Sequence, residues 1–257
     1  MKLHYRISGA GSPLIILHGL FGTLENWGSQ IATLSQHYQV IAVDLRNHGL
    51  SPHSDAIDYP LMAADVIELM DDLNIPSAAI IGHSMGGKVA MQIALEHPLY
   101  LNKLVVVDIS PVRYTAHHDS VFQGLFSIDL DSLKSRSAAD SSLAEHIDEP
   151  AVRAFLLKNL YRTEHKTFAW RPNINALYNQ YSNISEAPFG HKYPGDTLFI
   201  KGNNSDYMLN EHQSDINRLF AQVKFKIIEG AGHWPHAEKP KVFSSIILKF
   251  LKDNHAK

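Results

Sequence analysis

The sequence predicts an α/β fold, with a mostly parallel central sheet, helices on both faces and a helical cap inserted late in the strand series. Three observations predict it. Short apolar runs alternate with amphipathic stretches up to Val107, as parallel strands joined by helical crossovers require. The same alternation resumes near Thr197. Between those points about 80 residues hold only helix-like pieces, too many for a structureless loop in a compact domain.

Strands are expected at Leu3–Ile7, Leu14–Leu17, Val40–Val43, Ala78–Ile81, Leu104–Val107, Thr197–Ile200 and Val223–Ile228. Several are apolar at consecutive positions, the mark of a strand covered on both faces. In Pro60–Leu73, Met62, Val66, Leu69, Met70 and Leu73 share one helical face, and Pro60 suits a first turn. Pro240–Leu251 repeats the pattern with Val242, Phe243, Ile246, Ile247, Phe250 and Leu251. The intervening helices are expected at Asp119–Phe126, Leu133–Ile147, Ala151–Tyr161 and Ile174–Tyr181. The expected division is a core of residues 1–109 and 195–257 and a helical cap of residues 110–194.

Composition narrows the chemistry. The 257 residues carry 23 basic and 26 acidic side chains, a near balance that gives no basic surface for nucleic acid. No run approaches the roughly 18 apolar residues of a membrane span, and no apolar leader is visible at the start. With no cysteine, thiolate nucleophiles, disulfides and Cys-ligated metals are excluded. A cytoplasmic location is the expectation. Histidine, at 16 residues, is the abundant titratable type. No H-E-x-x-H occurs, and the adjacent His117 and His118 cannot share a helix face. No metal and no cofactor are expected.

Gly82-His83-Ser84-Met85-Gly86 follows the strand Ala78–Ile81 and opens the helix-like stretch Gly87–Glu96. G-x-S-x-G between strand and helix forces a sharp turn that lifts the serine hydroxyl to the sheet's C-terminal rim. The Met85 N–H then lies at a helix N-terminus, where it can hold an oxyanion. Gly82 to Lys88 also reads as the front of a phosphate loop, but Val89 stands where a Ser or Thr must hold the metal. His18-Gly19-Leu20-Phe21-Gly22 can supply the second oxyanion donor, Leu20 first and Phe21 next. His233, in Gly230-Ala231-Gly232-His233-Trp234-Pro235, can reach Ser84 as general base.

With these motifs in place, the chain resembles the α/β-hydrolase superfamily over nearly its whole length. Asp44-Leu45-Arg46-Asn47-His48-Gly49-Leu50-Ser51 looks like that family's D-x-R-x-x-G-x-S stretch. Its Arg-Asn-His version is similar to the YbfF-like serine esterase branch. The resemblance implies an eight-stranded core, a helical cap after strand six, no cofactor, and hydrolysis of small-molecule carboxylic esters or thioesters, acyl-CoA included, through an acyl-enzyme. The same fold also hosts lyases, perhydrolases and slow-turnover ligand receptors.

The third member of a Ser-His-acid set has two candidates. The superfamily's usual G-x-x-D reads here as Gly202-Asn203-Asn204-Ser205, with Asp206 one residue later. Asp108 ends the strand Leu104–Val107 on the same rim, and the resembled branch uses an acid there. Asp108 is therefore favoured, with Ser205 as a second hydrogen-bond partner and Asp206 as the alternative. Aromatic and apolar residues of the cap, among them Tyr114, Phe155 and Leu156, are expected to line an acyl pocket.

Overall fold

A computed structural model describes residues 1–115 and 118–252 of the chain; His117 and residues 253–257 lie outside the described residues. The main sheet has seven strands: β1 (Tyr5–Ser8), β2 (Pro13–Leu17), β3 (Gln39–Val43), β4 (Ala78–His83), β5 (Leu101–Val107), β8 (Tyr193–Gly202) and β9 (Phe220–Ile228). They lie in the order β1-β3-β2-β4-β5-β8-β9, parallel except for β1, which pairs antiparallel with β3. Each expected strand is present, most of them one to four residues longer than its apolar run. The eight strands implied by the resemblance are not reached: among the described residues β1 is the edge, and the insertion follows the fifth strand of the sheet, not the sixth.

Period-two alternation sorts the sheet into two cores. Ile15, Leu17, Ile80 and Val106 face α2 (Tyr59–Asp72) and α3 (Met85–Glu96). Leu14, Ile16, Ile81 and Val105 face α1 (Gly28–Leu34) and the last helix, Pro240–Lys252. α2 begins where Asp58 accepts the Leu61 N–H at 2.7 Å, with proline in its first turn. β9 is the far edge, with Phe225 and Ile227 exposed.

Between β5 and β8 lie α4 (Asp119–Ser127), α5 (Arg136–Ala144), α6 (Pro150–Leu157), α7 (Ile174–Asn179) and α8 (Tyr181–Ser185). The segment is not wholly helical. The helix expected over Ala151–Tyr161 stops at Leu157, and β6 (Leu160–Arg162) turns back to pair with β7 (Phe168–Trp170). The expected helix Leu133–Ile147 starts at Arg136, because the Ser135 hydroxyl accepts the Ala138 N–H and caps it there. Ile174–Tyr181 is broken at Gln180 into α7 and α8. β8 starts at Tyr193, two residues before the expected boundary.

Candidate active site

β4 delivers Ser84 to the rim through a turn that only this glycine pattern permits. Ser84 sits at φ 52°, ψ −120°, a region side chains seldom adopt. A Cβ at Gly82 would lie 2.2 Å from the Gly86 carbonyl oxygen, and one at Gly86 would lie 2.4 Å from the His18 carbonyl oxygen. The Ser84 N–H anchors the turn on the Val107 carbonyl at 3.0 Å.

The Ser84 hydroxyl donates to His233 Nε2 at 3.1 Å. On its other side, His233 Nδ1–H donates to Asp108 Oδ2 at 2.7 Å. Asp108 is completely buried and, like Ser84, has positive φ (54°). Its second oxygen accepts the Gly202 N–H at 2.9 Å, and the Ser205 hydroxyl donates to Oδ2. Three strand ends, β4, β5 and β8, together with the loop after β9, thus converge on one hydrogen-bonded chain. Asp206 stands exposed, one residue beyond Ser205.

The backbone around Ser84 offers two donors. Neither the Leu20 N–H nor the Met85 N–H has a protein acceptor among the described residues, and Met85 opens the twelve-residue helix α3. Phe21 differs from the expectation. Its N–H donates to His48 Nε2 at 3.1 Å, so it cannot also point at an oxyanion.

That contact belongs to a set of histidines whose tautomers are dictated by the backbone. His48 Nε2 accepts from Phe21, so its Nδ1 carries the proton and donates to the Arg46 carbonyl at 2.9 Å. His18 follows the same logic: Nε2 accepts the Leu45 N–H at 3.0 Å and Nδ1–H donates to the Gly19 carbonyl at 2.8 Å. His83 Nε2–H donates to the His233 carbonyl at 2.7 Å, fixing the backbone of the histidine loop. His236, three residues beyond His233, stacks on Trp27 at 4.2 Å between ring centroids. Desolvation lowers all four below the usual imidazole range, His48 and His236 to about 3. They are neutral struts around His233, the histidine hydrogen-bonded to the Ser84 hydroxyl.

The Asp44–Ser51 stretch braces the same corner. Asp44 accepts the N–H groups of Leu24 (2.8 Å) and Leu50 (3.0 Å). A Cβ at Gly49, where φ is +57°, would lie 2.1 Å from the Asp44 carboxylate. Arg46 grips Asp65 through two buried bonds of 2.6 and 2.9 Å.

Two cavities meet at Ser84. The larger, about 570 Å³, is lined by His18, His233, Trp234, Phe155 and Leu156, with Asp148 and Glu149 also on its wall. The smaller, about 40 Å³, is lined by Leu20, Met85, Lys88 and a group of tyrosines. Lys88, the phosphate-loop lysine of the rival reading, is buried, and its Nζ donates to the carbonyls of Ser185 (3.0 Å) and Glu186 (2.5 Å). Desolvation lowers its amine to about 7. Tyr207, which stacks on His233 at 3.9 Å, and His236 carry no sequence signal for their places; both are brought in by the fold.

The fold and the rim geometry have counterparts among known proteins. The sequence profile described as the alpha/beta hydrolase fold matches residues 12–143. Esterase YbfF of Escherichia coli (strain K12) is 37% identical over 98% of this chain and 100% of its own length. The chain belongs to the α/β-hydrolase family. Xenopus laevis sn-1-specific diacylglycerol lipase ABHD11 is 39% identical over 96% of this chain and 82% of that protein. A solved structure, a marine microorganism esterase, superposes with a TM-score of 0.94 at 40% identity, covering 97% of this chain and 99% of its own. The expected YbfF-like resemblance is thereby borne out. No helix among the described residues is long and apolar enough to cross a membrane.

Proposed function

We propose that the protein is a serine hydrolase that cleaves carboxylic esters through an acyl-enzyme on Ser84. The observation that carries this reading is the continuous chain Ser84–His233–Asp108 beside two backbone N–H groups left without acceptors. Ester-cleaving relatives of nearly full length support it.

In the proposed cycle Ser84 Oγ attacks the acyl carbon while its proton passes to His233 Nε2. The carbonyl oxygen becomes an oxyanion held by the Leu20 and Met85 N–H groups. Asp108 keeps the Nδ1–H tautomer and stabilises the imidazolium, and Ser205 and Gly202 hold the carboxylate in place. The imidazolium then protonates the leaving oxygen. Water, deprotonated by the same nitrogen, attacks the acyl carbon and restores the Ser84 hydroxyl. A thioester follows the same steps with sulfur leaving. The acidic Asp148 and Glu149 on the large cavity's wall favour esters of uncharged alcohols over a polyphosphate-bearing thiol such as coenzyme A. Residues 110–194 act in this reading as a cap that closes the large cavity through Phe155, whose ring meets Trp234 at 5.6 Å.

Ser84→Ala is the direct test. Loss of phenyl acetate turnover by about four orders of magnitude or more, together with loss of fluorophosphonate labelling, is expected. Labelling retained at another serine would sink the assignment.

A further inference from the structure

The two cavities at Ser84 differ more than tenfold in volume, and they touch different parts of the reacting group. His233 lines the large cavity and not the small one. Met85 lines only the small one, and Leu20 stands at the boundary, lining both. This division orients an ester. The leaving oxygen must come within hydrogen-bond reach of His233 Nε2 to receive its proton, which puts the alcohol on the large side. The carbonyl oxygen points at Leu20 and Met85. The carbon chain of the acyl group is left with the remaining direction, into the small cavity.

We infer that the small cavity is the acyl subsite and that it restricts the enzyme to short acyl groups, of about two to four carbons, on alcohols that are large. The inference rests on the ester-hydrolase reading above. Its size limit follows from the volume. A cavity of about 150 Å³ takes the six carbons of benzene, so one of about 40 Å³ takes roughly two beyond the carbonyl carbon.

The walls are also held against widening. The Tyr59 hydroxyl donates to the Ile184 carbonyl, and the Tyr114 hydroxyl donates to the Tyr207 carbonyl. Lys88 ties the end of α8 through the Ser185 and Glu186 carbonyls. Moving any of these outward leaves a buried polar group unpaired. A long acyl chain in the large cavity would instead turn the leaving oxygen away from His233.

The test is a pair of matched series on the intact protein. The acyl series is p-nitrophenyl acetate, butyrate and octanoate; the alcohol series is ethyl, hexyl and benzyl acetate. Overpacking of a held cavity predicts that kcat/KM falls about 100-fold from butyrate to octanoate. Hexyl and benzyl acetate are expected to match or exceed ethyl acetate. Tyr181 and Ile184 line the small cavity; Ile184→Ala and Tyr181→Ala each remove wall atoms and should raise the octanoate-to-acetate ratio about tenfold, with fluorophosphonate labelling reporting that the fold is intact. Octanoate turned over as well as acetate by the wild type overturns the inference while leaving the hydrolase reading in place. A protein that turns over no ester and takes no label brings both down.

Discussion

The C-terminal rim of the sheet and the insertion above it are built by opposite means. On the rim the groups that face Ser84 are placed largely by backbone: strand ends, two side-chain-bearing residues at positive φ, and three buried imidazoles, those of His18, His48 and His83, whose ring nitrogens answer to main-chain partners. The insertion leans more on side chains. Its ties downward include Asn159 Nδ2 on the Phe21 carbonyl at 2.7 Å, Lys88 on Ser185 and Glu186, Tyr59 on Ile184 and Gln92 on Phe189, beside backbone bonds from Asn173 to Asn47 (2.9 Å) and His191 to Leu95 (3.0 Å). Backbone placement resists change because moving one atom moves a strand. Side-chain placement is open to substitution one residue at a time. The rim is therefore suited to hold a reaction constant, and the insertion to set which molecule undergoes it.

Three experiments press on that contrast. The largest effect is expected at the rim's acid. Asp108→Asn should lower kcat about four orders of magnitude, while Asp206→Asn stays within about threefold, as expected for an exposed side chain. Steady-state kinetics on one ester decides between them, and the reverse ranking would move the acid to Asp206.

The second effect is on stability. His48 and His236 are lowered to about 3 in the folded state, so the unfolded chain binds more protons than the folded one between that value and the usual 6.5. Stability is full above about pH 6.5 and is lost as pH falls, by about 2 kcal/mol per ring at pH 5. Thermal melts should show Tm dropping from pH 7 to pH 5, and His236→Phe should remove part of the drop. An unchanged pH slope in that variant would mean the ring is not held neutral by burial.

The smallest effect is expected from cutting a tie between the two regions. Asn159→Ala should lower Tm by about 2–6 °C, the consequence of losing about 1–2 kcal/mol at a buried hydrogen bond. Its kcat should change by less than about tenfold. A loss of a thousandfold or more would show that the insertion positions the oxyanion turn as well as covering it.

Much of this was legible from residue order, and the boundary of what was legible has a physical cause. The elbow at Ser84, the turn at His18–Gly22 and the histidine loop are local. Their glycines and spacing reflect steric demands made within a few residues. Each sheet strand announced itself by its apolar run, and Asp108 by its place at the end of one. What stayed hidden depends on partners far along the chain. Phe21 stands in the turn as a donor like Leu20 until His48, 27 residues on, claims its N–H. Leu160 and Tyr161 read as the end of a helix until Phe168–Trp170 offers them a ladder. The break at Gln180 and the stacking of Tyr207 on His233 are set by tertiary packing, which overrides local pattern. The strand count was a family expectation, and among the described residues the sheet has seven.

The neutrality of His83 has an electrical consequence for the proposed cycle. Its ring centre lies 4.7 Å from that of His233. Two imidazolium charges at that separation would repel by about 3–4 kcal/mol at an effective dielectric of about 20. That repulsion would fall at the moment His233 takes the serine proton, because only then is His233 charged. A residue that can carry charge in water is kept from doing so here by desolvation, with the neighbouring imidazoles adding to the effect. The buried ring thus acts as a silent neighbour, leaving Asp108 as the charge that His233 meets directly.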